Sequence, residues 1–434
     1  DLNPAYVFTK PKGKGWDAVI SFLHNHVGQF DREDLTIIVP LLKEWVSESP
    51  TGHTTKTAGL FALHFYKQAE LDDKISYGSD TEEKLLAVVL GAARELKEEL
   101  SVIVEALLAG KYNRRESFSS LREEVLTDND KSIQFIISLP ELTLRLADQA
   151  WYQKKEDRHP YGGSMGVEKH YAIRDHIHMD YHPASALQTP VYYLLLFSFP
   201  ETIQFILDFT NRAVTVYSKS ELGDSVESIK VQVNGTRVDQ YISNSLWCMH
   251  RGSGSPVTPY LLQSIHMALE KKLMEMAKNS DGENVSKWLK HLLLHSRSAS
   301  ISAVVTSVVL AYPDKLFDVA LELFRNFPFF QQDNVRLSRE SEAKSIVSIW
   351  AGMDARYRRH EKERLATFEE PHRKRTLESL ARESQFFRTG EVTEKVFQDR
   401  RAAIHLIIDD FYASLKDKDP ETEALMTLMR SFMP

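Results

Sequence analysis

Three times in this chain an apolar turn runs into a proline, an acid and an amphipathic stretch. The phrases are IISLPELTLRLADQ at Pro140, LLFSFPETIQFILDF at Pro200 and VVLAYPDKLFDVALEL at Pro313. Proline at the first helical position loses no hydrogen bond, because that N–H has no partner inside the helix anyway. Glu141, Glu201 and Asp314 then fall in the first turn, where the helix dipole favours negative charge. The phrase is punctuation between helices. Its unequal spacing argues against a strict short repeat and for a looser stack of helices.

Helical spacing fills most of the remaining chain. Trp16, Val19, Ile20 and Leu23 recur on one face, as do Ile37, Ile38, Leu41, Leu42 and Trp45. Asp80 and Glu83 have the form of a capping box, and the run they open continues to Gly110, with Gly91 a point of bending or breakage. Helices are expected over Val285–His295, Ala402–Leu415 and Glu421–Phe432, and over Ile301–Ala311, where the β-branched run SAVVTSVVLAY has a buried strand as its alternative and its match to the run before Pro200 favours helix. Between Asp354 and Arg382 basic and acidic residues alternate, which predicts a solvated, salt-bridged helix pair split at Pro371.

One segment breaks the pattern. Ile229, Val231 and Val233 alternate with polar residues, Asn234-Gly235 follows, and Thr236–Tyr241 returns. That dipeptide favours a type I′ turn, so a two-stranded hairpin is expected. A lone hairpin is marginal in water and must lie on the helical body or on a partner.

At 434 residues the chain exceeds one hydrophobic core. Three consecutive regions are expected: 1–155, 156–280 with a His-rich loop and the hairpin, and 281–434. The net charge of −7 argues against a chain built to coat nucleic acid. A single cysteine, Cys248, rules out an internal disulfide and points to a reducing cytoplasm. Neither a signal-type apolar core at the start nor a run of about 18 uncharged apolar residues is present, so no membrane span is expected. The first residue is Asp1, consistent with a piece of a longer polypeptide.

Chemistry is sparse. His176, His178, Asp180 and His182 carry ligand types suited to zinc or iron. Their spacing misses the H-x-H-x-D-H pattern of metallo-β-lactamases by one residue, and a polar loop that caps its neighbours is the preferred reading. Arg251 opens a Gly/Ser loop before the helix at Pro259, with Thr258 as expected N-cap; the loop either holds an anion or simply turns the chain. Cys248 reads as buried and structural, since no base is placed against it. Arg356, Arg358, Arg359, Arg373, Lys374 and Arg375 are interleaved with acids and read as a solvated surface rather than a nucleic-acid face. The Walker spacing is absent, so hydrolysis of a nucleoside triphosphate by these residues is not expected.

The phrases HMDYHPASALQTPVYYLLLFSFPETIQFILDFTN and LWCMHRGSGSPVTPYLLQSIHMALEKKL, within about residues 170–275, carry a resemblance. They resemble the helical region outside the nucleotide-binding core of large bacterial STAND-type ATPases of antiphage defence. The resemblance implies a helical sensor that binds a phage protein and drives oligomerisation. It transfers no ATP site.

The expected fold is mainly α: an irregular HEAT-like solenoid or stacked helical hairpins with one inserted β-hairpin. The expected function is protein recognition and scaffolding, without catalysis or cofactor in this stretch. Trp247, His250, Arg251 and Tyr260 are the candidate contact residues, because aromatics and Arg dominate interface hot spots. The partner would be a phage protein or another domain of a longer parent chain. The alternatives are a metal-dependent hydrolase on the His176/His178/Asp180/His182 set and a nucleic-acid-binding helical array.

Overall fold

The structure is a computed structural model and describes residues 15–72, 75–110, 117–127, 129–153, 166–174, 177, 180–223, 225–251, 258–347, 355–388 and 392–414. Among these residues, 19 α-helices and one two-stranded antiparallel sheet form. The fold is therefore mainly α with an inserted hairpin. No described helix is long and apolar enough to cross a membrane. The chain clusters into two compact units whose boundaries cross the expected central region. One comprises Asp1–Tyr152 with Leu187–Phe205, the other Gln153–Ala186 with Ile206–Pro434.

The first unit holds α1 (Gly15–Asn25), α2 (Arg32–Glu48), α3 (His53–Leu71), α4 (Ser79–Gly91), α5 (Lys97–Leu108), α6 (Ser119–Thr127), α7 (Asn129–Ser138), α8 (Pro140–Trp151) and α9 (Val191–Phe197). Helix α4 lies against α2, α3 and α7 and buries Leu85, Leu86, Val88, Val89 and Leu90. It ends at Gly91, as its glycine allowed. A Cβ there would stand 2.8 Å from the Val46 side chain, so the close approach of α2 requires the glycine. Pro140 is the first residue of α8, as the punctuation predicts.

One capping expectation needs correction. Helix α4 begins after Gly78 without a side-chain cap, and Glu83 instead pairs with Lys131 at 2.9 Å. A capping box does form at Asp31 and Asp34, before α2, where Asp replaces the usual Glu or Gln at the third position.

Helix α10 (Phe199–Tyr217) carries Pro200 in its first turn. Beyond it come β1 (Glu227–Val233), β2 (Thr236–Ile242), α11 (Asn244–Trp247), α12 (Tyr260–Asn279), α13 (Glu283–His295), α14 (Ala299–Ala311), α15 (Phe317–Phe324), α16 (Phe327–Val347), α17 (Ala355–Phe368), α18 (Leu377–Phe386) and α19 (Glu394–Ser414). Pro313 does not open its helix. It stands in a turn, and α15 starts at Phe317. The split at Pro371 is real, with a 3-10 turn over Pro371–Lys374 between α17 and α18. Glu421–Phe432 lies outside the described residues.

The centre of this unit is α14. It is buried all round, from Ala299 to Leu310, and packs on α11, α12, α13, α15, α18, β2 and the 3-10 turn. Its β-branched residues tolerate a helix because tertiary packing outweighs their small propensity deficit.

The hairpin forms in the expected register, with Val231 opposite Val238 and Val233 opposite Thr236. Asn234 and Gly235 both have positive φ, +49° and +76°, as a type I′ turn demands. Val231, Val233, Gln240 and Ile242 form the buried face.

Neither strand offers the open edge that a partner strand would need at these positions. Asn326 accepts from the Gln232 N–H at 2.8 Å and donates to the Gln232 carbonyl at 3.1 Å, copying a neighbouring strand with one side chain. On the other edge the Tyr241 N–H donates to the Arg297 carbonyl at 2.8 Å. Such covering protects a sheet edge against pairing with other chains. Asn326→Ala should strand both Gln232 groups and cost about 1–3 kcal/mol in urea denaturation. An unchanged midpoint would show that water serves the edge equally well.

Candidate functional site

The contact residues expected from sequence lead to a buried ionic cluster in the second unit. His250 and Arg251 follow α11, and Arg251 is only 2% exposed. Its Nε–H donates to His250 Nε2 at 2.9 Å. Its two terminal nitrogens donate to Glu340 on α16 and to the Ser307 hydroxyl on α14, and Ser307 in turn donates to Glu270 on α12. Glu270 also accepts from Arg373 at 2.9 Å. Glu340 receives Arg336 at 2.7 Å and Arg373 at 3.4 Å. Arg336 reaches Asp333 at 2.7 Å, and Asp333 accepts the Trp247 indole N–H at 3.3 Å and the Leu377 N–H at 2.8 Å. Three guanidiniums thus meet three carboxylates from four separate segments of the chain, with Ser307 of a fifth bonded between Arg251 and Glu270.

The electrostatics follow from burial. Desolvation alone would raise Glu270, yet Arg373 and Arg251 hold it well below the usual carboxylate range. Glu340 is likewise held low by Arg251, Arg336 and Arg373 against its own burial. His250 takes a hydrogen bond on Nε2, so its proton sits on Nδ1, and burial pushes its pKa down to about 4. His372 and His266 are pushed down to about 3, chiefly by burial. Burial lifts the Cys248 thiol to about 11, which keeps it protonated and inert, as a structural cysteine should be.

Arg364 stands beside the cluster, and among the described residues its hydrogen bonds go to neutral acceptors. Its donors reach the Ala184 carbonyl at 2.8 Å, the Gln263 side chain at 3.0 Å and the Arg251 carbonyl at 3.3 Å. It fastens α17 to α12 and to the ends of two loops.

The sequence-derived residues therefore separate. Trp247, His250 and Arg251 come together, but inside: Trp247 packs on Phe329 at 5.0 Å between ring centroids, and none of the three forms an exposed patch. Tyr260 is half-buried and meets His182 at 4.6 Å. Asp180 is exposed, His176 and His178 lie outside the described residues, and no described group of three or more His, Cys, Asp or Glu could hold a metal. Thr258 does not cap α12; it receives Gln263 instead. Arg358, Arg359 and Lys374 are exposed, as a solvated face requires, and the Arg356 side chain is outside the described set. Arg373 departs from that expectation. It is buried, because the 3-10 turn points it at Glu270 and Glu340.

Sequence reading missed Glu270, Ser307, Asp333, Arg336, Glu340 and Arg364. A signal existed for some. Asp333, Arg336 and Glu340 sit at helical spacing on α16, and the serines of an otherwise apolar α14 require buried partners. Ser185 and His360 also meet, at 2.8 Å. Ser185 is fully buried, so a substrate carbonyl has no approach to it, and the pair reads as structural.

No protein-family model and no curated protein matches this chain.

A second feature of this unit is open to solvent. Pro313, Phe317, Leu380, Phe387, Val392 and Phe397 line a groove between the turn before α15, α18 and α19. Its volume is about 270 Å3. Arg400 closes one side, bonded to Asp314 at 2.5 Å and stacked 4.5 Å over Phe317, and the Arg375–Glu383 pair closes another. Phe387 is 67% exposed, beside the partly exposed Phe386 and Val396.

Proposed function

We propose that this chain is a protein-recognition and scaffolding region of a large cytosolic STAND-type antiphage defence ATPase of bacteria, and that the α18–α19 groove takes an apolar anchor from a partner polypeptide. The exposed Phe387 at the mouth of that groove carries the reading. Large exposed aromatics beside a concave apolar floor are typical of interface hot spots, not of a solvated helix end. The groove lies just under the roughly 300–1,000 Å3 of small-molecule pockets, which favours one or two side chains over a cofactor. Its rim carries one ion pair on each of two sides, so a partner segment with an acid and a base flanking its apolar anchor would match it. The buried ionic cluster supports the scaffold part of the reading, since it ties five chain segments into one body on which a surface can be held.

The test uses individually expressed phage proteins against the 434-residue chain. At least one is expected to bind, and Phe387→Glu should weaken it by about 2 kcal/mol, roughly 30-fold in Kd, with the circular dichroism spectrum unchanged. Binding indifferent to Phe387→Glu removes the groove from the reading. A panel with no binder removes the recognition role.

A further inference from the structure

Helix α13 closes on two histidines one turn apart, in the run WLKHLLLH. The spacing places both imidazoles on one helical face. Their rings stack, with centroids 4.0 Å apart and 30° between planes. His295 is exposed and His291 partly so. His295 Nδ1 stands 2.8 Å from the His291 carbonyl. A carbonyl only accepts, so Nδ1 carries the proton and Nε2 keeps its lone pair. A backbone acceptor on one ring nitrogen is the arrangement that fixes the tautomer of a ligating histidine. The helix end is itself held, because Asn211 donates to the His295 carbonyl at 3.0 Å and accepts from the Arg297 N–H at 2.7 Å. A bound cation would also meet the negative end of the helix dipole.

We propose that His291 and His295 chelate one divalent transition-metal ion of the Cu(II) or Zn(II) type, with water completing its shell. Imidazole suits these ions, and Cu(II) should bind most tightly of the first-row divalent series. Burial and the neighbouring His295 hold the His291 pKa below its ordinary value. A metal ion and a proton compete for an imidazole lone pair, so occupancy should fall in acid. Trp288 meets the His291 ring edge-on at 5.5 Å, which places a fluorophore at the site.

The experiment is a Cu(II) titration of the whole chain, read by tryptophan emission and electron paramagnetic resonance. One ion with two equatorial nitrogens is expected, with quenching that Trp288→Phe abolishes. His291→Ala and His295→Ala should each weaken binding at least tenfold and remove the two-nitrogen signature while leaving the helical spectrum intact. The same titration in a His176→Ala/His178→Ala background should be unchanged. Binding that survives the loss of both α13 histidines, or that disappears in the His176/His178 background, overturns the proposal.

Discussion

Glu340→Ala should cost the second unit about 3–5 kcal/mol, the range for removing one partner of a buried ion pair. Glu340 accepts from Arg251, Arg336 and Arg373 together. Its loss leaves these arginines balanced only by Glu270 and Asp333, in a region from which water is largely excluded. The penalty is mainly that of an uncompensated buried charge, more than the worth of any one bond. Urea denaturation of the intact chain, followed by far-ultraviolet circular dichroism, should show the transition of one unit moved to much lower urea while the other stays. A shift worth less than 1 kcal/mol would mean that water enters the cluster and screens it. Replacing the whole cluster with apolar residues of matched volume is a different experiment, and it should be far less damaging than Glu340→Ala.

Acid should destabilise this unit as soon as the pH falls below the ordinary histidine range. His250, His266 and His372 have folded pKa values of about 4, 3 and 3, each lowered first by burial from the ordinary 6.5. Between those limits the unfolded chain binds more protons than the folded one, so stability rises with pH. The contribution is complete above about pH 6.5 and is lost as pH falls through about 4 and toward 3. Each histidine gives a slope of about 1.4 kcal/mol per pH unit, and three together about 4 near pH 5. Glu363 and Glu370, raised by burial, oppose this in part. Glu270 and Glu340, held low, add to the loss at lower pH. Unfolding free energy measured at pH 7 and pH 5 should differ by several kcal/mol, and His250→Gln should flatten the dependence by about a third. Equal stability at the two values would place these rings in contact with solvent.

Much of the fold could be read locally. The periods of α1 and α2 and the break at Gly91 rest on spacing and on single-residue backbone preferences, which neighbouring residues decide. The turn at Asn234-Gly235 does so most clearly, because two successive positive φ angles have few suitable side chains. The proline rule worked at Pro140 and failed at Pro313. A proline permits a helix start but does not compel one, and here Leu316 and Phe317 were drawn into the core beneath the turn.

The candidate sites divide along the same line. A pair such as His291 and His295 depends on helical spacing alone, so it was available in the sequence. The ionic cluster was not. Arg251 and Arg373 looked like surface residues because each stands among polar neighbours in the chain. Their partners are distant in sequence, Glu270 being separated from Arg373 by 103 positions. Local pattern determined that this chain is helical, where it turns and where its hairpin lies. Only the tertiary structure decided which charges are buried, because burial of an arginine depends on whether carboxylates from other segments arrive to meet it, and no local periodicity encodes that meeting.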